Sequence, residues 1–161
     1  MNQQNSSPYF DVTPHLRLFI DKEGRWYQNG VEIIHAGVRR QFMESLEISP
    51  EGGYRIRVGR EVCKVEVEDA PYVVLGIVDY GDGSLGLELK DADAEIFNPE
   101  TFWINDQNIP YSMVKDGRFP ARFSRPAYYD LAQRIVSDDR NQTFLLVLNG
   151  KSWPVRIGTA P

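Results

Sequence analysis

Apolar and polar residues alternate with the two-residue period of a β-strand over residues 61–68, and apolar runs bounded by turn residues indicate further strands along the chain. Residues 16–20 form an apolar run, and the dipeptide Asn29 and Gly30, typical of hairpin turns, separates the next two candidate strands. Residues 54–58 and 61–68 form a second hairpin pattern. The first third of the chain is therefore predicted to build a sheet.

Two stretches carry the helical period instead. Val38, Phe42 and Leu46 recur at i, i+4 and i+8, which predicts a helix over residues 36–47. In the second stretch Ser124 is a candidate N-cap, and its helical stripe of apolar residues consists of Tyr128, Leu131, Ala132, Ile135 and Val136. This stripe predicts a helix that reaches residue 136.

The remaining sequence favours strands. Residues 72–80 form a nearly continuous apolar run that is typical of a buried strand. Further strands are predicted at 84–90, 94–104, 111–114, 118–123, 143–148 and 152–157. Together these elements predict an α+β protein with mostly antiparallel sheet.

The pattern of a helix followed by a hairpin occurs twice. Its positions recur 89 to 91 residues apart, as in the pairs Tyr54 and Thr143, Gly59 and Gly150, and Val65 and Val155. Trp26 and Trp103 also precede their helices, 77 residues apart. We therefore predict a duplicated strand–helix–hairpin unit, with a disordered lead at 1–13, a first lobe at 14–71 and a second lobe at 72–161. The alternative is that such a pattern recurs by chance in α+β proteins.

Composition narrows the class of partner. The 161 residues are 42% apolar and 25% charged, which are values of a globular protein. The net charge of −5 argues against a nucleic-acid partner, because phosphate recognition needs a basic surface.

The only cysteine, Cys63, cannot form a disulfide within the chain, and this fits a reducing compartment. The polar start of the sequence does not have the pattern of a signal peptide. No apolar run approaches the roughly 18 residues of a membrane span. These features predict a cytoplasmic protein without a membrane partner.

Three segments resemble the bacterial family known as domain of unknown function 1285. They are residues 24–30 with the sequence GRWYQNG, residues 61–72 with EVCKVEVEDAPY, and residues 109–131, which contain IPY and RPAYYDL. The resemblance implies two lobes with repeated motifs, of which the second is similar to a pleckstrin-homology domain. It also implies a nucleotide-like ligand in a cleft between the lobes and a role in signal transduction. It provides no catalytic residue.

Four residues form the predicted ligand site: Asp69, Tyr72, Arg122 and Arg125. Asp69 and Tyr72 lie where the first repeat ends and the long central strand begins. Guanidinium groups suit phosphate recognition, and the helix that follows Ser124 offers free N–H groups to an anion. We expect these side chains to line one concave surface that binds a small anionic ligand. In the alternative, Asp69 caps a turn and the arginines are scattered over the surface.

Two other functions stay open from the sequence. Glu68 and Asp69 could hold a metal in a small hydrolase or nucleotide-processing enzyme, and the curved sheet of the second lobe could bind a protein partner as an adaptor. No catalytic motif, metal-ligand spacing or cofactor fingerprint is present, so no cofactor and no metal site are predicted.

Overall fold

The computed structural model describes residues 16–161, and the predicted lead at 1–13 lies outside them. The chain divides into two compact units, Met1–Glu68 and Asp69–Pro161. The described residues are mostly strand with two α-helices, so the α+β class is confirmed. Neither helix of the described chain has the length and apolarity that a membrane span requires.

The first unit folds as one sheet with one helix. Its elements are β1 (Leu18–Ile20), β2 (Trp26–Gln28), β3 (Val31–Glu32), α1 (Ala36–Ser45), β4 (Leu46–Ile48), β5 (Tyr54–Val58) and β6 (Glu61–Val67). The strand order of this first sheet is β3-β2-β1-β6-β5-β4. Neighbouring strands are antiparallel except β1 and β6, which are parallel. The predicted hairpins around Asn29 and around residues 59–60 are confirmed.

The core of the first unit lies on one face of this sheet. Leu18, Ile20 and Val65 are buried on it because side chains alternate between the two faces of a strand. Trp26 packs on Phe42 of α1, with ring centroids 5.2 Å apart. The opposite face of the same strands is left for polar and half-buried side chains.

The second unit is larger. Its elements are β7 (Tyr72–Asp79), β8 (Leu85–Leu89), β9 (Glu95–Ile96), β10 (Trp103–Ile104), β11 (Pro110–Val114), β12 (Phe119–Phe123), α2 (Arg125–Ala132), β13 (Ile135–Asp138), β14 (Thr143–Leu148), β15 (Lys151–Pro154) and β16 (Arg156–Ile157). A short 3₁₀ turn spans Pro99–Thr101. The second sheet has the order β16-β10-β11-β12-β7-β8-β9, and β13, β14 and β15 form a third sheet.

An aromatic cluster fills the core of this unit. The rings of Phe97, Phe102 and Phe123 meet edge to face, with centroids 5.6 to 6.3 Å apart. Leu131 of α2 is fully buried. Replacing such a side chain by alanine costs about 2–5 kcal/mol, so the inner face of α2 stabilises the unit.

Both helices end earlier than their apolar stripes predict: α1 ends at residue 45 instead of residue 47, and α2 ends at residue 132 instead of residue 136. Leu46 was expected in α1, but it begins β4 and pairs with Ile56. Likewise Ile135 and Val136 were expected in α2, but they belong to β13 and pair with β14. These apolar residues continue the helical spacing, but a strand can also direct apolar side chains into the core. Hydrogen bonding to a neighbouring strand therefore decides their conformation, against the prediction from helical spacing.

The two units pair their strands in the same sequence order. In the first unit three strands precede α1 and three follow it. In the second unit the matching groups are β10 to β12 before α2 and β13 to β15 after it, with β16 as the last strand. Successive strands within each group of three are antiparallel. The first strand then pairs in parallel with the last: β1 with β6, and β10 with β16. The strands β7, β8 and β9 are additional to this pattern in the second unit.

Candidate functional site

Asp69 lies three residues before the start of β7 and contacts two neighbouring strands of the second sheet, β11 and β12. The Tyr111 hydroxyl lies 2.9 Å from each oxygen of its carboxylate. Arg122 donates from Nη1 to Oδ2, also at 2.9 Å. The side chains of Asp69 and Arg122 are 27% and 24% exposed, so this ion pair is shielded from solvent more than most surface pairs.

Strand register explains why residues so distant in sequence meet. Tyr111 of β11 lies opposite Arg122 of β12, and Arg122 lies opposite Val73 of β7. Side chains at paired positions point to the same face of a sheet. Asp69 precedes Val73 by four residues, which brings its carboxylate to the edge of that face.

Four register partners form a row across the second sheet, which we call the basic row: Arg122, Tyr111, Trp103 and Arg156. Its two rings stack with centroids 5.1 Å apart and an interplanar angle of 16°. Both rings are buried, whereas Arg156 at the far end is exposed. Burial raises the pKa of Tyr111 to about 12, and the hydrogen bond to Asp69 acts in the same direction.

Tyr72 points to the other face of the second sheet. Its register partner is Ala121, the neighbour of Arg122, so its ring lies on the core side, 3% exposed and 5.5 Å from the ring of Phe119. Lys115 Nζ approaches the same ring at 5.7 Å. Burial raises the pKa of Tyr72 to about 12. The structure therefore brings Asp69 and Arg122 together but does not bring Tyr72 to them.

Arg125 is the first residue of α2 and is exposed. Ser124 caps this helix, as predicted, because its hydroxyl accepts a hydrogen bond from the Ala127 N–H at 3.4 Å. Arg125 follows Arg122 by three residues, and the two are separated by the end of β12. Its membership in the ligand site stays a prediction.

The acidic residues before β7 have separate partners. Glu68 accepts a hydrogen bond from the Lys22 N–H at 2.7 Å, and Glu66 pairs with Arg17 at 3.2 Å. Within residues 16–161 no group of three or more histidine, cysteine or acidic side chains could hold a metal ion. The Asp69 carboxylate is occupied by Tyr111 and Arg122.

The first sheet contains a row at the corresponding register positions, which we call the acidic row: Glu32, Tyr27, Phe19 and Glu66. The rings of Phe19 and Tyr27 have centroids 6.0 Å apart. The Tyr27 hydroxyl donates to Asp21 Oδ2 at 3.3 Å. Burial raises the pKa of Tyr27, and the carboxylates of Asp21 and Glu32 raise it further against the opposing charge of Arg25.

A pocket of about 540 Å³ lies over the acidic row. Its described lining consists of Arg17, Phe19, Tyr27, Asn29, Gly30 and Glu66. A volume of this size is typical of sites for small molecules. The described lining of the pocket combines two aromatic side chains with one charge of each sign.

Sequence reasoning missed Tyr111 as the partner of Asp69 and missed the pocket over the acidic row. Each depends on which residues of different strands lie opposite one another, and one sequence does not specify that register. The sequence contained one indication of these positions. Tyr27 and Tyr111 are both aromatic residues that stand next to a polar residue in a predicted strand.

No family model matches the sequence. No curated protein matches it either. Two solved structures share its fold. A DUF1285 family protein from Silicibacter pomeroyi DSS-3 is 21% identical with a TM-score of 0.71, over 88% of this chain and 80% of that one. A DUF1285 family protein from Shewanella baltica OS155 is 18% identical with a TM-score of 0.64, over 74% of this chain and 92% of that one. The chain thus has the fold of solved proteins from the family that its motifs resemble.

Proposed function

We propose that the protein is a non-catalytic binding module for a small anionic, nucleotide-like ligand, and that Arg122 is the anchor of its site. One observation supports this most. The Arg122 guanidinium is held by Asp69 through Nη1 only, and Nε and Nη2 form no hydrogen bond to any residue in the described part of the chain. The unused donors are thus available to a ligand.

The contact with Asp69 orients these donors. A guanidinium is planar and rigid, so a hydrogen bond at one nitrogen restricts the directions in which the other N–H groups point. Asp69 is itself oriented by the Tyr111 hydroxyl. An anion that meets a pre-oriented donor group loses less entropy on binding than one that must order a mobile side chain. Arg156 and Arg125 contribute further positive charge on exposed positions of the same unit.

The binding role is favoured over a metal-dependent enzyme. Asp69 and Glu68 were the carboxylates considered for a metal, and each accepts hydrogen bonds from the protein instead. A carboxylate that pairs with a guanidinium is a poor metal ligand, because the guanidinium and a metal ion would compete for the same oxygen lone pairs. The resemblance also implies a role in signal transduction. In that role the protein would bind the ligand in the cytoplasm and so signal its presence.

We also propose that the two units arose by duplication. The shared order of strand pairing supports this, and so does the equivalence of the two rows. When the two units are aligned by their strand pairing, Trp103 matches Phe19, 84 residues earlier. The sequence pattern instead matches Trp103 with Trp26. The similarity of the second unit to a pleckstrin-homology domain stays a prediction.

The test is a titration with inorganic phosphate, AMP and adenosine, each with and without magnesium, followed by calorimetry and by the NMR signal of the Arg122 Nε–H. We expect phosphate and AMP to bind without magnesium and adenosine to bind much more weakly. Arg122→Ala should weaken AMP binding at least about tenfold, because a charge-assisted hydrogen bond is lost. Arg122→Lys keeps the charge but loses the planar fork, so it should restore binding only in part.

Arg140→Ala is the matched control, since Arg140 is an exposed arginine of the same unit outside the basic row. Equal AMP affinity of Arg122→Ala and the wild type would refute the proposal. Binding or hydrolysis that strictly requires magnesium would support the enzyme instead. If none of the probes binds, the alternative function as a protein-binding adaptor is favoured instead.

A further inference from the structure

The pocket over the acidic row combines aromatic rings with carboxylates. Phe19 lies between Tyr27 and Glu66 in the row, so two rings and a carboxylate follow one another across adjacent strands about 5 Å apart. Glu32 continues the row beyond Tyr27. The hairpin turn also lines the pocket, and a Cβ added at Gly30 would meet open space.

The turn next to the pocket is held rigidly. The Arg17 N–H donates to Asn29 Oδ1 at 2.8 Å, and the Asn29 N–H donates to the Arg17 carbonyl at 2.9 Å. Asn29 and Gly30 both have positive φ, the conformation of a type I′ hairpin turn. The pocket wall is therefore pre-formed, which reduces the entropy lost on binding.

Arg17 is the one cation among the described lining residues, and it is loosely placed. Its Nη2 lies 3.2 Å from Glu66 Oε2, but the two side chains are 75% and 52% exposed. Exposed pairs of this kind are weak, so a competing cation can displace the guanidinium at little cost. Arg17 thus marks the position that a cation takes beside Glu66.

We infer that this pocket binds a small organic cation, a guanidinium or ammonium group on a short aliphatic stem. The charged group would replace the Arg17 guanidinium on Glu66, and the stem would lie over the rings of Phe19 and Tyr27. Aromatic faces attract cations through their quadrupole and also cover an apolar stem. Glu32 and Glu66 at the two ends of the row repel an anion. This site is separate from Arg122 and does not depend on the proposed function.

The experiment compares two ligands of the same shape, N-butylguanidinium and the neutral N-butylurea. We expect the cation to bind with a Kd on the order of 1 mM, which one charge-assisted hydrogen bond and one cation–π contact can supply. The urea should bind at least about tenfold more weakly. Binding is followed by NMR shifts of the Phe19, Tyr27 and Gly30 backbone amides.

Two substitutions should change the affinity in opposite directions. Glu66→Gln removes the carboxylate and keeps the shape, so the affinity for N-butylguanidinium should fall about twofold to fivefold, the range expected for an exposed ion pair. Arg17→Gln removes the internal competitor, so the affinity should rise about twofold to fivefold. Glu61→Gln, an exposed glutamate on the same strand β6, is the control and should leave the affinity unchanged.

Three outcomes would overturn the inference: equal binding of the urea and the guanidinium, no shift at the pocket amides, or weaker binding by Arg17→Gln. The last would mean that Arg17 itself recognises the ligand. All three positions are exposed, and circular dichroism verifies that each variant is folded. Arg122→Ala should leave the affinity for N-butylguanidinium unchanged, which separates this result from the test of the basic row.

Discussion

The acidic row and the basic row occupy equivalent register positions in their sheets but carry opposite charges. Each has two aromatic residues at its centre, Phe19 with Tyr27 in the first unit and Trp103 with Tyr111 in the second. Glutamates flank the first pair, and arginines flank the second. The comparison teaches that strand pairing sets which residues lie side by side in a sheet, whereas the side chains alone set the charge of the row.

The two rows also differ in burial. Trp103 is 5% and Tyr111 is 6% exposed, and they pack with Ala70, Ile109 and Met113. Phe19 and Tyr27 are only half-buried and line the pocket over the acidic row. The rings of the basic row are therefore part of the core, whereas those of the acidic row remain partly accessible to solvent.

Replacing an aromatic residue of either row by alanine should have the largest effect on the free energy of unfolding. The size of the loss should differ between the two rows. Trp103→Ala removes a buried, stacked ring and should lower the free energy of unfolding by about 3–5 kcal/mol. Phe19→Ala should cost roughly half as much, because part of its surface stays in solvent. Denaturant unfolding measures both. Equal losses would contradict the difference in burial.

Asp69→Asn should have the next largest effect, a loss of about 1–3 kcal/mol. The amide presents an N–H group where Tyr111 and Arg122 need an acceptor, and it leaves the guanidinium without its counter-charge. In the first unit the carboxylate of Asp21 also accepts hydrogen bonds from an arginine and a tyrosine, Arg25 and Tyr27, although it lies at a different register position. Asp116→Asn is a control at an exposed position in the turn between β11 and β12 and should change the unfolding free energy by less than about 0.5 kcal/mol.

The pH dependence of Tyr111 provides a second measurement of the same network. Its pKa in the folded protein is about 12, above the usual value of 10, so folding favours the neutral phenol. The resulting stabilisation is complete below pH 10 and is lost as the pH rises from 10 through 12. In Asp69→Asn the phenolate absorbance of Tyr111 should appear at lower pH, because a hydrogen-bond acceptor and a negative charge are gone. An unchanged titration would show that burial alone sets this pKa.

The charges at the exposed ends of the rows should have the smallest effect on stability. Glu32→Gln and Arg156→Gln should each change the unfolding free energy by less than about 0.5 kcal/mol, since both side chains are exposed. The same substitutions should alter ligand affinity at their own row only. A stability loss above about 1 kcal/mol would mean that these charges hold the sheets together instead of serving a ligand.

Local patterns predicted many of the individual elements. Asn29 with Gly30 predicted its hairpin because few residues adopt positive φ readily, and Ser124 predicted the start of α2 because its hydroxyl satisfies a free N–H. The ends of both helices were not predictable in this way. Leu46 and Ile135 continue the helical stripe, yet pairing with a neighbouring strand stabilises them more than another helical turn would.

The candidate sites were predictable only in part. Asp69 and Arg122 were recognised as charged residues at element boundaries, and their contact follows from the register of β7, β11 and β12. Tyr72 was expected beside them, but a shift of one position along a strand reverses the face, and its ring lies in the core.

The sequence alone determined the α+β class, the hairpin turns, the helix starts and the acidic balance, because each follows from the preferences of neighbouring residues. Only the tertiary structure decided that Glu32, Tyr27, Phe19 and Glu66 form one row and that Arg122, Tyr111, Trp103 and Arg156 form its counterpart. These residues are up to about 50 positions apart, and they meet through backbone hydrogen bonds between strands. Because almost every residue type offers the same backbone N–H and C=O groups, these bonds do not favour one register over another. The register is decided by how the side chains of the whole sheet pack.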